Sequence, residues 1–355
     1  MDDGRMPPLQ TAAVIESPGP DGRFVIRHDL PVGNPGPGEV LIRLACTGIC
    51  GSELRALRGW GSYNPIVGHE GVGVVVELGA GVDSNLRGRR AGVKWLYSAC
   101  SACAACARGH GNNCPRQLNT GKQRPGTLQR YVVADARYLT LIPDGVRDEE
   151  AAPLLCAGLT MMGAVSKLEG EVERGGWVVV QGAAGGLGHL GVQIAAGLRG
   201  FRVIAMDAGR NAAFCKGMGA EVFVDYLTED AESAVMGVTG EGAHAVIVVP
   251  ESEEAYRVAP KLVRSMGTIV CVGLPHNDFQ IPISVAQCAA KALTIKGAMV
   301  GTDAEMEELL QEATKGRIRA SVERFHVSEV PDVISRMTRG EMAGRAVVCY
   351  SQTKT

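Results

Sequence analysis

The chain has 355 residues, 46% hydrophobic and 21% charged, with a formal net charge of -2. That length suits about two domains with real cores. The near-neutral balance, without a basic block, gives no reason to expect nucleic acid. The acidic, polar start "MDDGRMPPLQ" is unlike a secretory signal.

In chain order, the first chemistry-bearing stretch is "TGICGSE", which holds Cys50 and Ser52. A lone cysteine among apolar residues reads as core, and a serine there reads as a helix cap. "VGHEGVG" sets His69 beside Glu70. Alone, that pair reads as a hydrogen-bonded surface pair. The loop "CSACAACARGHGNNC" is more specific. Cys100, Cys103, Cys106 and Cys114 are separated by two, two and seven residues. Four thiolates at the corners of a tetrahedron make a closed structural zinc site, and the short spacers let one loop wrap the ion. An iron–sulfur cluster also takes four cysteines, but zinc is the simpler assignment. Gly109 and Gly111 are expected to permit the tight return. "LLCAGLT" then holds Cys156. Eleven cysteines without a signal argue against a disulfide framework and for metal in a reducing compartment.

From about Val172 the texture becomes short apolar runs alternating with helical patterns. "WVVVQ", "FRVIAMD", "AEVFVDY", "HAVIVVP", "GTIVCVG" and "ALTIKGAM" predict six buried parallel strands, the strand number of a Rossmann sheet. Trp177 to Leu198 carries no Asp, Glu, Lys or Arg, yet its six glycines, two glutamines and histidine fit a strand, turn and buried helix better than a membrane span. After the first strand comes "GAAGGLG". Its Gly182, Gly185, Gly186, Leu187 and Gly188 form a turn whose backbone can approach a pyrophosphate at a helix N-terminus. Asp207 ends the second strand, 19 residues after Gly188. An acid there hydrogen-bonds a ribose 2′-hydroxyl and repels a 2′-phosphate, which predicts NAD over NADP. Arg210 follows closely and partly offsets that charge.

Taken together, "GICGSE", "VGHEGVGVVVELGAGV", "GVKWLYSACSACAACARGHGNNCP", "LLCAGLT", "GAAGGLGHLGVQIA" and "GRAVV" resemble the zinc-dependent medium-chain alcohol dehydrogenases of fungi and bacteria. The resemblance runs from about Thr11 to Tyr350. It implies a mainly β GroES-like catalytic domain joined to an α/β Rossmann domain. It also implies a catalytic zinc held by Cys50, His69 and Cys156, with a fourth position open to substrate. By the same resemblance, Ser52 accepts the alcohol proton, and Glu70 sits behind the zinc as a charge that tunes it. Arg345 reaches the cofactor pyrophosphate, and the loops around Val249 and Val272 offer backbone groups to the nicotinamide. Trp95 lies above the zinc.

The chain departs from the ethanol-type pattern around Ser52. Gly51 replaces a basic residue that touches pyrophosphate, Glu53 replaces an Asp partner of the histidine ligand, and Arg55 replaces the histidine that ends a proton relay. Arg does not deprotonate in proteins, so the proton is expected to leave through the cofactor ribose and water. The segment between Cys50 and His69 is a few residues shorter than in ethanol-type relatives, and Trp60 is placed to narrow the pocket it lines. The shortening suggests a substrate larger than ethanol.

The expected organisation is a catalytic domain over 1–157, a Rossmann domain over 158–295 and a return to the catalytic domain over 296–355. The expected protein is a cytoplasmic, homo-oligomeric enzyme, a dimer or tetramer. It would use two zinc ions per chain and NAD, and act on a small-molecule alcohol or carbonyl, without nucleic acid or membrane partners. The rival readings are an NADPH-linked biosynthetic carbonyl reductase and a non-catalytic nucleotide-binding relative.

Overall fold

The computed structural model describes residues 6–276 and 278–350. The chain forms two compact units, one running to Cys156 and resuming at Val322, the other spanning Ala157–Ser321.

The first unit is mainly β. Its largest sheet has seven strands, in the order Val322–His326, Arg345–Cys349, Glu39–Gly48, Gly71–Leu78, Arg90–Val93 and Thr140–Leu141, with Tyr131–Asp135 also paired to Glu39–Gly48. Side chains alternate faces along a strand. In "EVLIRLACTG" that alternation puts Val40, Ile42 and Leu44 on one face, packed with Val75, Ala91, Val93, Val132 and Ala134. Bulges interrupt the register with Gly71–Leu78 between Leu41 and Ile42 and between Leu44 and Cys46. Such bulges bend a strand and re-aim the chain beyond them.

The second unit contains a six-stranded parallel sheet in the order Val222–Asp225, Arg202–Asp207, Trp177–Gln181, Ala243–Val248, Val263–Cys271 and Thr294–Gly297. Numbered along the chain this is 3-2-1-4-5-6, the order of a Rossmann sheet. Val178, Val179 and Val180 are fully buried, as a parallel strand covered on both faces must be. Each of the six apolar runs carries one of these strands, but Thr294–Gly297, expected to be buried, has no buried residue because it is the edge of the sheet. The uncharged stretch from Trp177 supplies a strand and then the helix Gly188–Gln193, which continues through a π turn at Ile194–Leu198. Among the described residues no helix is long and apolar enough to cross a membrane.

The expected return to the catalytic unit at 296 needs correction, because it falls at Val322. Residues 296–321 carry the helix Asp303–Thr314, which packs on the helix Leu159–Ser166. Close backbone approach fixes that packing. A Cβ on Gly163 would meet the Val300 carbonyl oxygen at 2.6 Å. Arg199 also binds Glu308, with Nη1 2.6 Å from Oε1.

Candidate functional site

Cys50 is the N-cap of the short helix Gly51–Leu57, with extended backbone. The third helical residue, Glu53, folds its carboxylate back to accept the Cys50 amide at 2.5 Å. His69 and Glu70 immediately precede the strand Gly71–Leu78. Cys156 lies in a π turn, Leu154–Gly158, within a helical run. Such turns often mark functional sites.

These segments bring one donor each from Cys50, His69, Glu70 and Cys156 within 4.8 Å of one another. Cys50 Sγ is 3.9 Å from Cys156 Sγ, and His69 Nε2 is 3.2 Å from Cys156 Sγ. Zinc–sulfur bonds of about 2.3 Å give a tetrahedral edge of roughly 3.8 Å, so the donor set fits zinc. His69 Nδ1 lies 3.3 Å from Glu53 Oε1. A carboxylate there holds the proton on Nδ1 and leaves Nε2 to bind metal. The longer Glu53 therefore keeps the contact expected of the shorter acid. Between the two thiols, Cys50 is the one drawn toward thiolate, first by the hydrogen bond from Cys156 and then, against burial, by His69. The Trp95 ring meets His69 edge-on, with centroids 5.0 Å apart.

Glu70 also accepts a hydrogen bond from the Arg345 guanidinium. Burial pushes its carboxyl up to about 7, while Arg345 pulls the other way. Its Oε2 is buried without a hydrogen-bond partner among the described residues, a second sign that the cluster suits a cation. A Cβ at Gly48 would lie 1.9 Å from that oxygen, so only glycine leaves room for Glu70 there. The pairing of Arg345 with Glu70 was not legible in the sequence. Neither was the hydrogen bond from the Glu70 amide to Thr127 Oγ1, 3.3 Å away.

Ser52 Oγ donates to Glu53 Oε1 at 3.1 Å. Arg55 is buried, with 6% exposure. Its Cζ stands 5.6 Å from the centroid of Trp60, whose ring also carries Arg58 at 5.0 Å. Trp60 is thus stacked with cations of the neighbouring helix.

The four loop cysteines also converge, their sulfurs within 4.8 Å of one another. Cys100 and Cys106 are 3.9 Å apart, Cys103 and Cys106 3.5 Å, and Cys114 and Cys100 3.4 Å. These edges again fit a tetrahedron of thiolates. Backbone amides aid the charge. Arg116 N–H donates to Cys114 Sγ at 3.3 Å, and a hydrogen bond from Ala102 leads the drop of Cys100 to about 5. Gly109 takes φ of +80°, which glycine adopts without cost. Gly111, by contrast, opens a 3₁₀ turn and is absent from the positive-φ glycines, so its backbone makes no such demand.

In the second unit, Gly182 has φ of +67°, and a Cβ on Gly188 would lie 2.0 Å from the Gly182 carbonyl oxygen. The turn therefore closes tightly before the helix. Asp207 Oδ2 accepts the Ala184 amide at 2.8 Å, and Oδ1 accepts the Ala208 amide at 2.8 Å and the Asn211 amide at 2.7 Å. A cavity of about 510 Å³ opens beside it, lined by Gly182 and Pro250 and by the acids Asp207, Glu229, Asp230, Glu232 and Glu254, against one lysine, Lys261. Arg210 is exposed and lies outside that lining. Val249 follows the strand Ala243–Val248. The Val272 amide donates to Val248 O at 3.1 Å, which leaves its carbonyl as the group to offer a ligand.

Two family profiles match the chain. Residues 36–144 match one described as alcohol dehydrogenase GroES-like domain, and 186–315 match zinc-binding dehydrogenase. Alcohol dehydrogenase 2 of Emericella nidulans is 39% identical, over 98% of this chain and 99% of that protein. An alcohol dehydrogenase of Geobacillus stearothermophilus is 39% identical over 88% and 91%. Acetophenone reductase of Geotrichum candidum, solved with NAD, superposes with a TM-score of 0.86 at 27% identity, covering 98% of both chains. The chain belongs to the zinc-dependent medium-chain alcohol dehydrogenases, oxidoreductases that interconvert alcohols and carbonyl compounds with a nicotinamide cofactor.

Proposed function

We propose that the protein is an NAD-dependent alcohol dehydrogenase with two zinc ions per chain. One would be held by Cys50, His69 and Cys156, and the other by Cys100, Cys103, Cys106 and Cys114. The observation that carries the cofactor choice is the crevice beside Asp207, where five acids face one lysine. A ribose hydroxyl can donate to such acids, whereas a 2′-phosphate is repelled.

When bound, zinc supplies Lewis acidity toward the alcohol or carbonyl oxygen. The residues around it do the rest. Glu53 orients His69 through Nδ1 and holds the Cys50 backbone, so two ligands share one positioning carboxylate. Ser52 gives its hydrogen to Glu53 at rest, and it would take the alcohol proton as it turns that hydrogen onward. Arg55 keeps its charge, so with the cofactor bound the onward acceptor for Ser52 would be its ribose and then water. Its charge substitutes for the cation missing at Gly51. Trp60 and Trp95 shape the approach to the oxygen, and the carbonyls at Val249 and Val272 orient the nicotinamide. Arg345 balances Glu70 and contributes positive charge toward the pyrophosphate.

A homo-oligomer is part of the reading. The strand Thr294–Gly297 forms one edge of its sheet, and beside it Val285 is 87%, Met299 45% and Ile295 40% exposed. The free cysteines suit a reducing cytoplasm. The test is turnover on a panel of alcohols and carbonyls with NAD and NADP in parallel, alongside zinc content and light scattering. Preference for NADP, or one zinc per chain, would reject the corresponding part.

A further inference from the structure

We propose that Cys46 and Cys349 form a peroxide-oxidisable dithiol that closes a disulfide between the C-terminal strand and the strand leading to Cys50. The two cysteines face each other directly in the antiparallel ladder of Arg345–Cys349 with Glu39–Gly48, where the register pairs Val347 with Gly48, Val348 with Thr47 and Cys349 with Cys46. Ile49 N–H donates to Ala346 O at 3.0 Å, and Tyr350 N–H donates to Ala45 O at 3.0 Å. These are the hydrogen-bonded positions, and they alternate, so Cys46 and Cys349 occupy a non-hydrogen-bonded position. Opposite residues there share a face with Cα atoms about 4.5 Å apart, inside the range of roughly 4.4–6.8 Å that a disulfide spans. Both thiols are free in the structure.

Their surroundings differ in a way that assigns roles. Cys349 is half-buried, whereas Cys46 is 2% exposed. On the other side of the C-terminal strand, Arg324 pairs in register with Val347. Its guanidinium lies near enough to Cys349 for that sulfur to hold the arginine further in its charged form. Cys349 is the thiol that peroxide reaches first, because it is the more exposed of the two, so it takes the reactive role. Cys46 is pushed up, first by burial and then by Cys349, Asp148 and Glu149, so it keeps its proton until it has a target.

The Cys349 thiolate attacks one oxygen of hydrogen peroxide. The O–O bond breaks, hydroxide leaves and is protonated to water, and Cys349 becomes a sulfenic acid. The Cys46 sulfur then attacks that sulfur. The S–O bond breaks, and the Cys46 proton leaves with the departing hydroxide as a second water. Two thiols give up two electrons and peroxide accepts them. The product ties the strand bearing Arg345 to the strand that ends beside Cys50.

The test is peroxide treatment of the zinc-loaded protein, followed by alkylation and non-reducing peptide mass mapping. A Cys46–Cys349 linked peptide, lost on treatment with dithiothreitol, is the expected product. Cys46→Ala should instead accumulate a sulfenic acid at Cys349 that dimedone traps, and Arg324→Leu should slow oxidation of Cys349 severalfold. Wild-type protein in which both cysteines still alkylate after treatment would overturn the proposal. Linkage of Cys349 to any other cysteine would do so as well.

Discussion

Glu70 and Arg345 form an ion pair almost wholly out of water, with side-chain exposures of 0% and 3%, between residues 275 apart in sequence. The pair lies beside the candidate ligands Cys50 and Cys156, whose charges also bear on Arg345. Removing one partner of such a pair leaves a buried charge uncompensated, at a cost of about 3–5 kcal/mol. Arg345→Met should therefore lower stability in denaturant titration, by less than that amount because Glu70, already pushed up to about 7, can take up a proton. The double variant Glu70→Gln, Arg345→Met should recover part of the loss, because the orphaned charge is gone. A double variant no more stable than Arg345→Met would show that charge pairing is not what Arg345 contributes.

The cysteine loop should be structural. Cys103→Ser removes one corner of the tetrahedron and should release about one zinc per chain while lowering thermal stability, since metal binding is coupled to folding. Metal content measured by mass spectrometry decides this. Unchanged content would refute the site.

Asp207 should carry the cofactor preference. A hydrogen bond to a charged group is worth about 1.5–3 kcal/mol, so Asp207→Ala should lower the NAD-over-NADP ratio of kcat/KM by about tenfold or more. The same carboxylate also accepts the Ala184 amide, so some loss of affinity for both cofactors is expected. Parallel kinetics with NAD and NADP separate the two effects. An unchanged ratio would mean that the acid does not read the ribose.

Ser52 and Arg55 should divide proton transfer from cofactor binding. Ser52→Ala should reduce turnover by about 10²–10⁴-fold, the usual worth of acid–base help, with NAD affinity nearly intact. Arg55→Ala should weaken NAD binding and leave chemistry largely in place. Steady-state turnover and NAD dissociation constants for both variants distinguish these outcomes. The reverse pattern would place the relay at the arginine.

The sequence by itself determined local features. The cysteines at 100–114 are legible as a candidate metal loop because all four thiols lie on one short segment, where spacing alone constrains geometry, and their sulfurs do converge. The inner parallel strands were legible because burial on both faces demands unbroken apolar runs, and Gly182 to Gly188 because a tight turn into a helix demands glycine. Only the family resemblance groups Cys50, His69 and Cys156, since nothing in their separate neighbourhoods brings them together. Tertiary structure alone decided the rest. The return at Val322 depends on which helix Asp303–Thr314 packs against, and a periodic pattern does not name its partner. The Glu70–Arg345 pair, the threefold use of Glu53 and the facing of Cys46 with Cys349 all depend on strand register and on bulges that shift it. Register is set by the sum of many cross-strand contacts, so it belongs to the folded sheet and not to any one stretch of chain.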